Sequence, residues 1–231
     1  MNRILTAAIM MAALVICNTC AAESGAQSAP AEINHADSIY YAQLDFYNMT
    51  STADRIILTH YPTYQQGTEY SCGAAAALTV LKYFGRDDFD EPALMKALKT
   101  NPKIGTSLSN MIKFFKSLGW NVHSSLDAPP MDGLAFQKFV TENLTQGNPI
   151  IVENVEWGGH WRVIIGVDTL GTEISYDDVL IFADPYDTSD HNQDGYTTGS
   201  LDRFYYMWFD NCMLTKRERN QPWLIATPGR T

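Results

Sequence analysis

Positive charge is in short supply in this chain. Lys and Arg number 16 against 26 Asp and Glu, for a formal net charge of −10. No basic block occurs anywhere in the 231 residues. Nucleic-acid binding needs clustered Lys and Arg against phosphate, so that class of function is excluded, and docking on anionic lipid is disfavoured for the same reason. Long apolar runs are missing too. Beyond the N-terminus none reaches the ~20 residues that a membrane-spanning helix requires. No segment repeats at a fixed period, which excludes a solenoid. Zinc-ligand spacing is absent: His35, His60, His123 and His191 have no His or Cys partners placed for it. Charged residues make up only 18% while apolar residues make up 45%. That balance excludes disorder for most of the chain and allows a buried core in one domain or two small ones.

The N-terminus departs from this pattern. Arg3 is followed by a mostly apolar stretch from Ile4 to Ile16, and Cys20-Ala21-Ala22 supplies small residues at a cleavage site. Met1 to Ala22 is therefore expected to be a secretory signal peptide, too short for a comfortable span. The expected localisation is exported, periplasmic or secreted, with no transmembrane span after signal removal. Lipidation at Cys17 or Cys20 is an alternative, although Ile16 and Thr19 fit poorly before a lipidated Cys. A retained anchor is another. Glu23 to Glu32, rich in Ala, Ser, Gly and Pro, reads as a flexible tether, and residues 33–231 as the folded domain. After cleavage, two of the four cysteines remain, Cys72 and Cys212. In an exported chain the plain reading of such a pair is a disulfide.

The first half of the domain is helical in pattern. After a short apolar strand at Arg55 to Thr59, helices are predicted from Cys72 to Phe84, from Glu91, from Ser107 to Leu118 and from Leu134 to Leu144. Gly85, Gly119 and Gly147 stand as stops, and Pro92 with Asp90 and Glu91 marks a start. The second half is strand-like: Pro149 to Val155, His160 to Val167 and Val179 to Ala183, then an aromatic amphipathic segment from Leu201 to Phe209. Helices first and strands later indicate an α+β fold.

Four residues carry a chemical pattern. Cys72 stands at the first turn of a predicted helix, where the positive end of the macrodipole favours the thiolate, the nucleophilic form. Gly73 and four alanines leave little bulk on the early turns. A thiol needs a base, and Gly158-Gly159-His160-Trp161 offers an imidazole at the start of an apolar strand. The ring in turn needs an orienting group. Asp184 closes the next apolar run, and two antiparallel strands joined through residues 168–178 would bring it to the same end of the sheet as His160. Gln66, six residues before Cys72, can supply an amide N–H to an oxyanion together with the Cys72 backbone N–H. Glu69 and Asp168 are alternative acidic partners for the imidazole.

Gln66-x5-Cys72-Gly73, the helix, the Gly-His-aromatic strand and the following Asp-Pro resemble the papain-like cysteine peptidases, in particular the branch of bacteriocin-processing peptidases that cut after double-glycine leaders. The resemblance runs over roughly Tyr61 to Pro185. It implies a papain-like fold with the nucleophile at a helix N-terminus packed on an antiparallel sheet. It implies that Cys72 is the nucleophile, His160 the general base and acid, Asp184 the orienting residue and Gln66 the oxyanion donor. A peptide or protein substrate and no cofactor follow from that chemistry. Those relatives are usually fused to transporter membrane domains facing the cytoplasm, so an exported form is expected to act on something other than a bacteriocin leader. Two alternatives stay open: transfer of the acyl group to an amine or thiol, as in phytochelatin-synthase-like enzymes, and a non-catalytic secreted binding module.

Three further features stand apart. Asp190-His-Asn192-Gln-Asp194-Gly195 matches the first half of an oxygen-ligand calcium loop, a candidate structural calcium site, but Leu201 holds the place of the usual bidentate Glu. The plainer reading is a solvated acidic turn. Trp157 and Trp161 flank His160 and are expected in the core or as a cleft wall that shields the site from water. Cys212 is expected to be a buried free thiol. The acidic charge of the chain favours basic over acidic substrates.

Overall fold

The run of small residues after Cys72 sets how this fold is assembled. In the computed structural model, which describes residues 44–189 and 192–229, these residues open a helix that is buried on every side from Cys72 to Leu81. The expected signal peptide Met1–Ala22, the tether Glu23–Glu32, His35, and the calcium-loop residues Asp190 and His191 lie outside the described residues.

The elements run β1 (Arg55–Ile57), α1 (Cys72–Tyr83), α2 (Glu91–Ala97), α3 (Leu108–Ser117), β2 (Asn121–Ser124), α4 (Gly133–Thr145), β3 (Ile150–Asn154), β4 (His160–Asp168), β5 (Val179–Ala183), β6 (Tyr196–Ser200), α5 (Leu201–Met207) and β7 (Trp223–Thr227). Local chemistry explains most boundaries. Asp90, Ser107, Asp132 and Ser200 each accept a backbone N–H from the first turn of the helix they precede. Gly85, Gly119 and Gly147 follow the ends of α1, α3 and α4 with positive φ, where glycine has no side chain to strain.

The strands form one antiparallel sheet in the order β2-β7-β3-β4-β5-β6, with β1 added beside the far half of β4. β3 and β4 are buried along almost their whole length because helices cover both faces. On one face α1 packs against β4, with Gly73 over Trp161. On the other, Phe139 of α4 meets Trp223 of β7, and Phe204 of α5 meets Phe182 of β5. That double coverage is why these strands read as unbroken apolar runs. The fold is α+β, with the helical first half that the sequence predicts.

Where expectation and structure part, the causes are local. Leu201 to Phe209, grouped with the strands, is mostly the helix α5, capped by Ser200. β2 is short and carries the polar sequence Asn-Val-His-Ser, so it has no apolar signature. β6 begins at Tyr196, directly after the residues that resemble a calcium loop, and its Thr-Thr-Gly-Ser sequence reads as turn.

The β4–β5 hairpin sets the site. Val163 pairs with Ala183 and Asp168 with Val179, so His160 and Asp184 fall at the same end. An irregularity between Ile164 and Gly166 shifts the register by one residue. Glycine fits closely at position 166, because a Cβ would sit 3.0 Å from the Ile56 carbonyl oxygen of β1.

At Gly73 a Cβ would lie 2.6 Å from Thr106 Cβ, 2.8 Å from Thr106 Oγ1 and 3.1 Å from Trp161 Cδ1. Helix propensity favours Ala over Gly by about 1 kcal/mol, but overpacking of this kind costs about 1–3 kcal/mol. Gly73→Ala is therefore expected to lower the urea midpoint. Gly133→Ala, at a helical position with nothing within 4 Å, should leave it unchanged or raise it. Equal midpoint shifts in the two variants would show that the approach of α1 to Trp161 is not tight.

Candidate active site

Cys72 is the first residue of α1 and is buried. Among the five α-helices of the described residues, this one has no side-chain cap. Ser71 stands at the capping position, but its hydroxyl turns back to the Thr68 backbone, donating to the carbonyl at 3.0 Å and accepting the N–H at 3.1 Å. The first-turn N–H groups of α1 thus keep their partial positive charge for whatever occupies the cleft.

His160 begins β4, where its ring reaches the sheet's end. Its Nε2 lies 2.6 Å from Asp184 Oδ1, and the ring lines the same cavity as Cys72. The carboxylate fixes a proton on Nε2 and leaves Nδ1 as the ring's second nitrogen for proton exchange. Burial alone would push the imidazole pKa down. The hydrogen bond that the ring donates to Asp184, then the interaction with Cys72, outweighs it and raises the ring to about 9.

Asp184 is itself held on four sides. Oδ1 also accepts the Tyr186 N–H at 2.9 Å; Oδ2 accepts the Thr197 hydroxyl at 3.1 Å and lies 3.5 Å from Arg162 Nη1. Its burial opposes ionisation, but His160, Arg162 and the Tyr186 N–H together bring it down to about 2. Arg162 is fixed by Glu156 at 2.8 Å and by the Phe182 ring beneath its guanidinium at 4.0 Å. Arg162, Thr197 and Tyr186 were not singled out from sequence. Arg162 carried a signal all the same: it lies two residues after His160 on one strand, hence on the same face.

Gln66 lines a cavity of about 240 Å³ together with Cys72, His160, Trp157 and Tyr186. Its backbone N–H donates to the Pro185 carbonyl at 2.9 Å, tying this segment to the residue after Asp184. Its side-chain Nε2 donates to Thr68 O at 2.7 Å, which orients the amide, while Oε1 is buried with no partner. The next residue, Gly67, is clamped through its N–H by the buried Glu91 carboxylate of α2 at 2.9 Å.

The two tryptophans divide. Trp161 is core: its indole N–H donates to Thr106 O at 2.9 Å, bracing the 101–106 loop against the tip of α1. Trp157 is 71% exposed, a wall of the cleft rather than part of the core, with φ +57° and its ring edge-on to Tyr186 at 5.6 Å. Gly159 has φ +127°, and a Cβ there would meet Asp210 Oδ2 at 2.9 Å and Glu153 Oε1 at 3.1 Å, so both backbone and space demand glycine.

The remaining candidates stand elsewhere. Asp168 pairs with Arg55 at the opposite end of β4, and Glu69 is exposed on the cleft rim. Cys72 and Cys212 are both free. Cys212 is exposed, not buried as expected. The Asp210 carboxylate gathers the N–H groups of Cys212, Met213 and Leu214 and turns the backbone around itself, which leaves the Cys212 side chain outside. Of the calcium-loop candidates, Asp194 accepts the Tyr196 N–H at 2.9 Å, and Asp190 lies outside the described residues. No helix among the described residues is long and apolar enough to cross a membrane.

Comparison with known proteins now gives this arrangement its class. The fold is similar to the peptidase domain of Streptococcus ComA, a bi-functional ABC transporter involved in a quorum-sensing pathway, with a TM-score of 0.51, 20% identity, and coverage of 73% of this chain and 99% of that one. It is also similar, at a TM-score of 0.46 and 17% identity, to a double-glycine-motif protease from an AMS/PCAT transporter in complex with its leader peptide, covering 72% of this chain and 91% of that one. UfSP from C. elegans matches at a TM-score of 0.46 and 13% identity, over 80% of this chain and 36% of that one. Comparison with curated protein sequences gives no match. The architecture is that of a papain-like peptidase domain. The family model described as papain-like cysteine protease AvrRpt2 matches residues 56–204, more than half of the chain, and the chain belongs to that family. It is a cysteine-type peptidase.

The raised imidazole has a consequence for stability. A group whose pKa is higher folded than unfolded contributes stability that is fully present below its unfolded pKa and lost as pH rises through the folded one. For His160 that window runs from 6.5 to about 9. The urea midpoint is expected to fall across it, and Asp184→Asn should remove most of the fall, since Asp184 is the larger of the two stabilising partners. A wild-type midpoint that is flat between pH 6.5 and 9 would contradict the buried, charged pair.

Proposed function

We propose that Cys72, His160 and Asp184 form the catalytic triad of an exported peptidase, with Gln66 as oxyanion donor. One observation carries this reading: a buried imidazole held by Asp184 at 2.6 Å lines one cavity with Cys72 and Gln66. The Cys72 sulfur, having given its proton to His160, attacks the carbonyl carbon of a peptide bond. The tetrahedral oxyanion is met by the Cys72 backbone N–H and by the second N–H of the Gln66 amide, the first being held by Thr68. His160 then donates its proton to the leaving amine, and the amine departs as a thioester forms. Water, deprotonated by the same ring, hydrolyses that thioester and restores the thiol. No step calls on a metal or organic cofactor.

Asp184 acts through His160. It holds the ring in one tautomer and stabilises the imidazolium, and Arg162 and Thr197 hold Asp184 in turn. The substrate is a peptide or protein segment lying in the cleft walled by Trp157. Export rests on the Met1–Ala22 segment, whose removal leaves Glu23 as the first residue.

Three measurements test this. On a proteome-derived peptide library, Cys72→Ala is expected to abolish cleavage, and Asp184→Asn to lower kcat by about 10²–10⁴-fold. A Cys72→Ala protein that cuts as wild type does would overturn the assignment. Added amine acceptors should yield only minor transfer product, whereas transfer exceeding hydrolysis would make the enzyme an acyltransferase. The intact mass of protein recovered from outside the cytoplasm of a bacterial host should begin at Glu23; a mass that includes Met1–Ala22 or a lipid on Cys17 or Cys20 would contradict the proposed processing.

A further inference from the structure

A second cavity beside Cys72 is not used by the chemistry above. Its volume is about 380 Å³, and Cys72, Glu69, Ile104, Glu153, Trp161 and Met213 are among its walls. It shares Cys72, Glu69, Trp157 and Gly159 with the cavity lined by His160 and Gln66, but neither His160 nor Gln66 lines it. Two acidic side chains border it and no Lys, Arg or His.

Glu153 is the unusual wall. It belongs to β3, in the middle of the fold, and is only 2% exposed. Its Oε2 has no hydrogen-bond partner. Its acidic neighbour is Asp210, which receives the N–H groups of Cys212, Met213 and Leu214 and favours the protonated form of Glu153. Burial and then Asp210 hold the Glu153 carboxyl well above the usual carboxylate range, and no cation among the described residues offsets them. Held neutral, the acid avoids the cost of a buried charge, but its unpartnered Oε2 is still a polar atom buried without return. Gly159 carries the same message: it dispenses with a side chain where one would cover Glu153 Oε1.

We infer that this cavity is the subsite for a basic side chain, Lys or Arg, on the acyl side of the scissile bond, and that Glu153 determines that specificity. The inference rests on Cys72 being the nucleophile. The side of the bond follows from His160. The leaving amine must lie beside the ring that protonates it, so residues on that side fall in the cavity His160 lines. The cavity without His160 receives the acyl side. The apolar stem of Lys or Arg lies along Ile104, Trp161 and Met213, and its charged head reaches Glu153. As the cation enters, Glu153 releases its proton to solvent and becomes the carboxylate of a charge-assisted pair. The exposed Glu69 at the rim adds attraction on the way in.

The test uses peptidyl chloromethyl ketones carrying Lys, Arg, norleucine or Glu at the first or second acyl-side residue, with labelling of Cys72 followed by mass spectrometry. Wild-type protein is expected to react with a Lys or Arg probe about tenfold or more faster than with the norleucine probe of equal length. In Glu153→Gln that ratio should fall to within about threefold. Comparing the ratio cancels any change in the thiol itself. Should Glu153→Gln fail to fold, Met213→Lys, which places a cation at the cavity wall, is expected to erase the same preference. Equal wild-type rates for Lys and norleucine, or a ratio that survives in the variants, would overturn the subsite. Iodoacetamide at pH 6 separates this from the underlying reading: rapid alkylation of wild-type Cys72 with no basic preference sinks the subsite alone. Slow alkylation in the folded protein, with fast alkylation after denaturation, sinks the nucleophile and the subsite with it.

Discussion

A carboxylate and an imidazole, buried together at the end of a hairpin, are the pair on which the rest of this site depends. Neither group is stable alone in such a place. An unpaired carboxylate at Asp184 would take up a proton, and an unpaired His160 would lose one, because burial opposes charge in both. Their mutual hydrogen bond reverses both tendencies. The surrounding structure serves this contact. The β4–β5 register brings the two residues to one end of the sheet, the Asp184 N–H donates to the Gly195 carbonyl at 2.8 Å, and Arg162 and Thr197 occupy the second carboxylate oxygen.

The thiol is delivered to that pair by a different principle, close packing. α1 comes close to Trp161 of β4 because Gly73 presents no side chain, and the alanines behind it permit burial all round. Trp161 then anchors the 101–106 loop through its indole N–H. The segment before α1 is tied twice, through Gln66 to Pro185 and through Gly67 to Glu91. Helix tip, loop and sheet edge are thus fixed against one another by separate contacts. This is what a reaction needs when its groups must be in place before the substrate arrives.

Much of this was legible in the sequence because the relevant residues sit at element ends. Cys72 precedes an alanine run with a clear stop at Gly85, His160 opens an apolar strand and Asp184 closes one. Their order and positions were enough to propose a shared end of the sheet. The supporting residues were hidden for a physical reason. Arg162 and Glu153 are charged residues inside mostly apolar strands, and although the alternation puts Arg162 on the His160 face, nothing local tells that either residue is buried. Their roles come from partners distant in the chain, Asp184 and Asp210. Cys212 failed in the opposite sense. Its apolar character suggested burial, but the turn built on the Asp210 carboxylate decides where it points. The helix at Leu201–Met207 was obscured by aromatics common to both strands and helices, and only its Ser200 cap distinguishes it.

The central claim is that His160, backed by Asp184, sets the reactivity of Cys72. It is tested most directly by the rate of Cys72 alkylation with iodoacetamide from pH 4 to pH 10, in wild-type protein and in His160→Ala, with Cys212→Ser in both backgrounds so that a single thiol is read. The wild-type rate should already be high near pH 6, and the His160→Ala rate should rise only around pH ~8.5, as for an ordinary thiol. Superimposable profiles for the two proteins would contradict it.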